Sequence, residues 1–335
     1  MLQFILTLAS VIAAVVPMFA YLAALWWFDR YDREPVWLVG LTFGWGALVA
    51  TSLSLVGNTT LHVALAAALG EATAGMVTPV VVAPLIEEPT KAFVLFLVLL
   101  SRQFDNTTDG FVYGAATGLG FGMTENLLYF MNAAAVASFD PMGGTLAWLT
   151  TVAARTFFSA LMHATASSLV GAGLGLTRLR NPMVGLVTVP LGFAGAMGMH
   201  ALWNGLLTAA STKEALSNLA WLDFALFPLQ FFGVFALFQL CLWAEGRMIR
   251  DELTAEAREA GTLPEAHAVP LSSWHRRSLR RFAPKGVDQG VYARIATTLA
   301  FRRLQARKAR GARQVRCQRD LERLRLELVG LLAKE

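Results

Sequence analysis

The sequence predicts an all-α fold: a polytopic transmembrane helix bundle with a basic helical tail at its C-terminus. Three observations predict it. Of 335 residues, 56% are hydrophobic and only 15% charged, an apolar share above that of soluble domains. Apolar runs of about 20 residues, the length that crosses a hydrocarbon core of roughly 30 Å, can be drawn seven times. The charge is also divided. Residues 1–245 hold eight Lys and Arg against thirteen Asp and Glu, whereas residues 246–335 hold twenty against ten. The expected organisation is a transmembrane domain, 1–245, followed by a basic cytosolic helical tail, 246–335.

The first run, 3–28, lacks a basic leader and is longer than a signal-peptide core, so it reads as a retained span. A second span is expected over 36–56. The stretch Leu61–Leu69 is too short to cross alone and reads as interfacial or re-entrant. Further spans are drawn at 78–100, 110–133, 148–176, 183–210 and 219–244, giving seven, or eight if one more helix crosses. The apolar length over 144–176 exceeds one span and implies tilt or protrusion. Beyond Glu245 a polar helix to about Ala260 leads through a Pro- and Ser-containing connector, 261–274, into the run RRSLRRFAPK. Leu321, Leu324, Leu328 and Leu331 then recur at helical spacing among arginines. Such a helix either lies on anionic lipid headgroups or is solvated and fixes topology. Nucleic-acid binding is not expected from charge alone. Cys241 and Cys317 imply no disulfide framework.

Lys and Arg in short loops set orientation. Arg30 and Arg33 lie in the first loop, Arg102 in the third, Arg178 and Arg180 in the fifth, and the basic tail follows the last span. The even-numbered loops hold Lys213 alone. The alternation predicts an external N-terminus and a cytosolic tail in a multi-pass cell-membrane protein.

Charged residues at membrane depth cost several kcal/mol and usually face a bundle interior. Here they are concentrated: Glu87, Glu88 and Lys91 on the third span, Glu125, Asn126 and Tyr129 on the fourth, Arg155 and His163 on the fifth, His200 and Asn204 on the sixth. At 1.5 Å per residue, Glu87, Glu88, Glu125 and His200 all fall roughly 12 to 15 Å below the outer surface. His163 joins that layer if its helix starts about a turn outside the membrane. Residues four apart share a helix face, so Glu87 can pair with Lys91 while Glu88 points elsewhere; alternatively, relaxation at Pro89 lets both carboxylates enter one cavity. Gly114, Gly118 and Gly122 form a small-residue ridge for close helix packing. The combination supplies the groups needed to activate water and to stabilise an oxyanion. The same residue types also build proton and cation pathways, which leaves a transporter or channel as the alternative.

Four motifs carry a resemblance. Glu87-Glu88-Pro-Thr-Lys91, then Phe121-Gly-Met-Thr-Glu125 with Asn126 and Tyr129, then Arg155 with His163, then His200-Ala-Leu-Trp203-Asn204 together resemble, in order, those of the PrsW family of intramembrane proteases, a family related to the CAAX protease and Abi group. The resemblance covers about 78–210 and implies site-1-type cleavage of membrane-anchored proteins such as anti-sigma factors. For that chemistry Glu87 or Glu88 is expected as general base, with Glu125 and His163 holding water or a metal, and His200 and Asn204 stabilising the oxyanion. Lys91, Asn126 and Arg155 are expected in support. Glu125, His163 and His200 with one open position match the ligand types of a catalytic zinc; a metal-free version uses the same residues, and the two stand even. There is no HExxH, no GxS setting around Ser167 or Ser168, and no intramembrane aspartate pair.

Overall fold

The computed structural model describes residues 1–101, 103–137, 139–179, 182–212, 214–279 and 282–333. Arg102, Arg180 and Lys213, used above for orientation, and Arg280 and Arg281 of the basic run lie outside the described residues. All regular structure among the described residues is helical.

The chain forms two compact units, residues 1–28 with 34–238 and residues 29–33 with 239–335. The first begins with α1, Leu2–Phe28. Its buried positions Leu6, Ser10, Ala14 and Met18 repeat every four residues, while Phe4, Ile5, Leu8, Ile12 and Phe19 are exposed. One stripe thus faces the bundle and the rest suits lipid. Helix α2, Val36–Leu69, contains a π-helical turn at Trp45–Ala50. The segment Leu61–Leu69, expected from sequence to be an interfacial or re-entrant helix, is its last part. Nothing in 57–60 breaks the helix; Gly57, Asn58, Thr59 and Thr60 only lower its hydropathy. Helix α3, residues 71–98, joins Glu71–Val77, a π turn at Thr78–Val82 and Ala83–Val98. Helix α4 is Thr107–Val136. Helix α5, residues 141–179, runs through a π turn at Arg155–Ser159, starting seven residues before the expected 148. Helix α6, Gly185–Thr212, and α7, Leu219–Ala260, complete the series.

Helix α4 occupies the centre. Every residue from Thr107 to Gly122 is buried, as expected of a helix with neighbours on all sides. Glycine makes this possible. A Cβ on Gly118 would meet the His163 carbonyl and come within 2.8 Å of the Ala164 Cα, and one on Gly114 would fall on the backbone of Ser167 and Ser168. The opposite side of α4 meets α2, where Gly120 lies against the Phe43 carbonyl. The start of α4 is fixed by a reciprocal cap between Asn106 and Asp109.

Among the described residues, five helical runs are long and apolar enough to cross a membrane: α1, α2, Pro141–Thr177 of α5, α6 and Glu214–Ala260. Helices α3 and α4, which the sequence also counts as spans, fall outside that set. These two carry the glutamates. Glu87, Glu88 and Lys91 interrupt α3, and α4 trades apolar side chains for glycine.

In the second unit α7 continues past Glu245 without a break. Short helices α8, Ala268–Leu271, and α9, Trp274–Leu279, precede α10, Gln289–Lys308, and α11, Ala312–Leu332. Its core gathers Ile249, Leu253, Tyr292, Leu299, Leu321, Leu324 and Leu328. The leucine stripe of the tail is therefore turned inward onto α7 and α10. Tyr31 of the first loop donates to the Ser272 carbonyl at 3.0 Å, and Arg30 lies 5.1 Å over the Trp274 ring. Cys241 and Cys317 are free thiols.

Candidate active site

The expected residues converge within the first unit. Pro89 removes a backbone donor from α3 just beyond the paired glutamates, and α2 grips this turn from the side. The Trp45 indole donates to the Thr90 carbonyl at 2.9 Å, and the Ser54 and Thr90 hydroxyls are 2.8 Å apart.

Glu88 is 1% exposed. Its Oε1 accepts from Lys91 Nζ at 2.6 Å and lies 2.8 Å from His200 Nδ1. Lys91, fully buried, also reaches His163 Nδ1 at 3.2 Å and stands 4.4 Å from the Phe121 ring centroid. Lys91 thus pairs with Glu88, three residues away, rather than with Glu87 as the four-residue spacing suggested. Both spacings share a helix face, and Glu87 is engaged elsewhere. Its Oε1 accepts from Asn58 Nδ2 at 3.0 Å. Its Oε2 is buried, has no hydrogen-bond partner among the described residues, and lies 3.8 Å from His200 Nε2.

On α4, Glu125 Oε2 is 2.7 Å from His163 Nε2 and 2.7 Å from Arg155 Nη2. Asn126 fixes the arginine by accepting from its Nε at 3.0 Å and donating to its carbonyl at 3.3 Å, while Tyr129 lies 3.7 Å beneath the guanidinium. The two imidazoles stand edge to face with centroids 5.2 Å apart. A cavity of about 530 Å³ opens beside them, lined by Asn58, Glu87, Glu125, Arg155, His163 and Asn204 among others. Glu88, Lys91 and His200 are not part of its lining. Asn204 donates to the Pro79 carbonyl in the π turn of α3 at 2.8 Å.

The compact ligand group is Glu87, His163 and His200, each offering one atom within 4.8 Å of the others and all three buried. It differs from the expected Glu125, His163 and His200 because the Arg155 guanidinium and His163 already engage Glu125 Oε2. Two imidazoles, one carboxylate and an open side match a catalytic zinc site. The unpartnered Glu87 Oε2 and the Glu88 carboxylate behind His200 Nδ1, a carboxylate–histidine arrangement typical of metal centres, fit a cation there. Asn58 was missed by sequence reading, which ended the second span at 56. A polar amide inside a continuous apolar helix was the signal.

Fold and site define a polytopic, all-helical membrane protein built around a buried Glu/His centre at the edge of a polar cavity. Residues 34–238 match the family described as PrsW family intramembrane metalloprotease. That match covers more than half of the chain, and the protein belongs to this family. It is 25% identical to Protease PrsW of Bacillus subtilis over 204 residues, 61% of this chain and 84% of that protein. It is 31% identical to Protease PrsW of Geobacillus kaustophilus over 120 residues, 36% of this chain and 51% of that protein. The Oceanobacillus iheyensis protein of the same name matches at 30% over 120 residues, 36% of this chain and 53% of its own length. The chain thus spans about half the length of the Geobacillus and Oceanobacillus relatives. No solved structure matches.

Proposed function

We propose that the protein is an intramembrane endopeptidase that hydrolyses a peptide bond of a membrane-anchored protein, of the anti-sigma-factor kind, by site-1-type cleavage. The observation that carries the proposal is the convergence of Glu87, His163 and His200 within 4.8 Å beside a polar cavity. These three residues would hold a divalent ion, zinc by ligand type. When bound, such an ion supplies a Lewis acid and lowers the pKa of water.

The chain's own groups divide the remaining work. Glu88 takes a hydrogen bond from His200 Nδ1, which leaves the lone pair of Nε2 directed at Glu87. Lys91 offsets the charge of Glu88. Glu125 reaches the cavity outside the ligand group, so it accepts the proton of the attacking water and returns it to the leaving amine. Arg155, clamped by Asn126 and Tyr129, keeps the Glu125 carboxylate in place. Asn204 exchanges its bond to Pro79 for the developing oxyanion. Glu88, expected from sequence to share the role of base, acts here as a positioning group.

A second reading rests on Lys91. Its ammonium, 3.2 Å from His163 Nδ1, gives the cluster a resident cation, and Glu87 with its unpartnered Oε2 then serves as general base without a metal. Zinc content of the purified protein, compared with a His200→Ala variant, separates the two. The proteolytic reading is tested by co-expressing single-span membrane proteins with wild type and with Glu87→Gln; fragments that form equally with both would overturn it. The matched relatives are proteases by name and lend the transport alternative no support.

For orientation, the first loop and the tail fall on one side. Residues 29–33 belong to the same compact unit as 239–335, which supports a cytosolic face for both and an external N-terminus. Arg316, Arg319 and Arg323 of α11 are exposed while Leu321, Leu324 and Leu328 are buried, which suits contact with anionic headgroups through charge rather than through the leucine stripe.

A further inference from the structure

We infer that Asn58 is a positioning residue that selects which oxygen of Glu87 faces the two histidines, an inference that rests on the metal reading above. The geometry is specific. A carboxylate only accepts hydrogen bonds, so the 3.0 Å contact must be a donation from Asn58 Nδ2 to Glu87 Oε1. This leaves Oε2, buried and without a donor, as the oxygen nearest His200 Nε2. The carboxamide cannot be replaced by backbone. Glu87 lies within α3, whose amides are committed to the helix, and Pro89 two residues on has none to give.

Asn58 is itself placed by α2, which already holds the next residues of the same turn through Trp45 and Ser54. The Thr90 hydroxyl completes this clamp by donating to the Glu87 carbonyl at 2.9 Å. The Glu87 backbone and one of its carboxylate oxygens are therefore anchored from α2 and α3 together. Without Asn58, Oε1 is released and the carboxylate is free to turn toward Lys91, whose ammonium already satisfies Glu88 on the same helix. The oxygen available to a cation would then be lost to an ion pair. Asn58 Oδ1 is also buried without a partner, so among the described residues the side chain is held by this one donation and its removal severs no other hydrogen bond.

The test uses the full-length protein in detergent micelles and zinc alone as the probe, with affinity read by calorimetry. Wild type, Asn58→Leu, Asn58→Asp, Asn58→Gln, Glu87→Gln, His200→Ala and the Asn58→Leu/Glu87→Gln double variant are compared, with thermal unfolding as the folding control. Orienting groups of this kind change metal affinity by about 10- to 100-fold. Asn58→Leu and Asn58→Asp are expected to weaken zinc by that factor, and Asn58→Gln, which keeps a donor, to recover part of it. The double variant is expected to bind no worse than Glu87→Gln, because the two residues act through one contact. Zinc affinity unchanged in Asn58→Leu and Asn58→Asp, while His200→Ala loses it, overturns the inference and leaves the metal reading standing. Additive losses in the double variant overturn it as well. Equal zinc binding by wild type and His200→Ala overturns both.

Discussion

Glu87 in the first unit and Glu256 in the second are both buried carboxylates, and they are treated differently. Glu256 is fully buried and saturated. Its Oε1 accepts from Thr262 at 3.0 Å and Arg325 at 2.7 Å, and its Oε2 from Arg303 at 2.7 Å and Arg325 at 2.8 Å. Arg303 extends to Glu259 at 2.6 Å, and Arg307 bonds Glu252. Guanidinium groups suit this work because their planar forks meet carboxylates two bonds at a time. Glu87 has one neutral amide on one oxygen and nothing on the other, within reach of two imidazoles. Glu256 is closed on both oxygens, whereas Glu87 keeps one open beside the histidines.

Glu87→Gln is expected to reduce proteolysis of a membrane-anchored reporter by about a thousandfold, or roughly 4 kcal/mol of barrier, with the thermal midpoint nearly unchanged; retained turnover would place Glu87 with the structural carboxylates. Arg303→Met should behave in the opposite way. Stripping the shared partner from Glu252, Glu256 and Glu259 is expected to cost about 3 kcal/mol of stability, measured by unfolding, without altering zinc affinity. Gly118→Ala sharpens the contrast by shifting α4 from α5, which carry Glu125 and His163. A loss of about 1 to 3 kcal/mol from overpacking is expected, together with weaker zinc binding. Gly198→Ala, whose added Cβ meets nothing within 4 Å, should change neither.

The smallest effect belongs to the second unit and to pH. Burial pushes the His267 imidazole below its ordinary value, and its Nδ1 shares a 2.9 Å hydrogen bond with the Tyr292 hydroxyl. The unfolded chain, with a pKa of about 6.5, therefore binds the proton first on acidification. The contribution is fully present above that pH and is lost as pH falls through the folded value. Unfolding midpoints at pH 7 and 5 should diverge less in His267→Phe than in wild type.

Much of the site was legible because membrane burial makes charge conspicuous. Glu87, Glu88, Glu125, His163 and His200 stand out against apolar runs, and counting helix rise put most of them at one depth. What depth could not supply was azimuth. Spacing alone left Lys91 to choose between two glutamates, and nothing in the sequence shows that Arg155 and His163 would share one oxygen of Glu125 while Glu87 stays within reach of both histidines. Hydropathy also misled at the α2 boundary. It fell over Gly57–Thr60, so the helix was cut short just before Asn58, the residue that holds Glu87. Where Lys and Arg are the signal, as in the tail, the sequence located the helix but not its partner; only packing shows that Leu321, Leu324 and Leu328 belong to a core.

The π turn at Arg155–Ser159 has a consequence for chain length. A π turn holds one residue more than an α turn, so α5 takes up an extra residue at Arg155–Ser159 without turning its two ends against each other. Trimming a single amino acid from this stretch would leave a regular helix of nearly the same reach, with Trp148 and His163 still facing their neighbours. In this protein a one-codon deletion between Trp148 and Arg155 would instead act as a rotation, swinging one end of α5 by about 100° relative to the other.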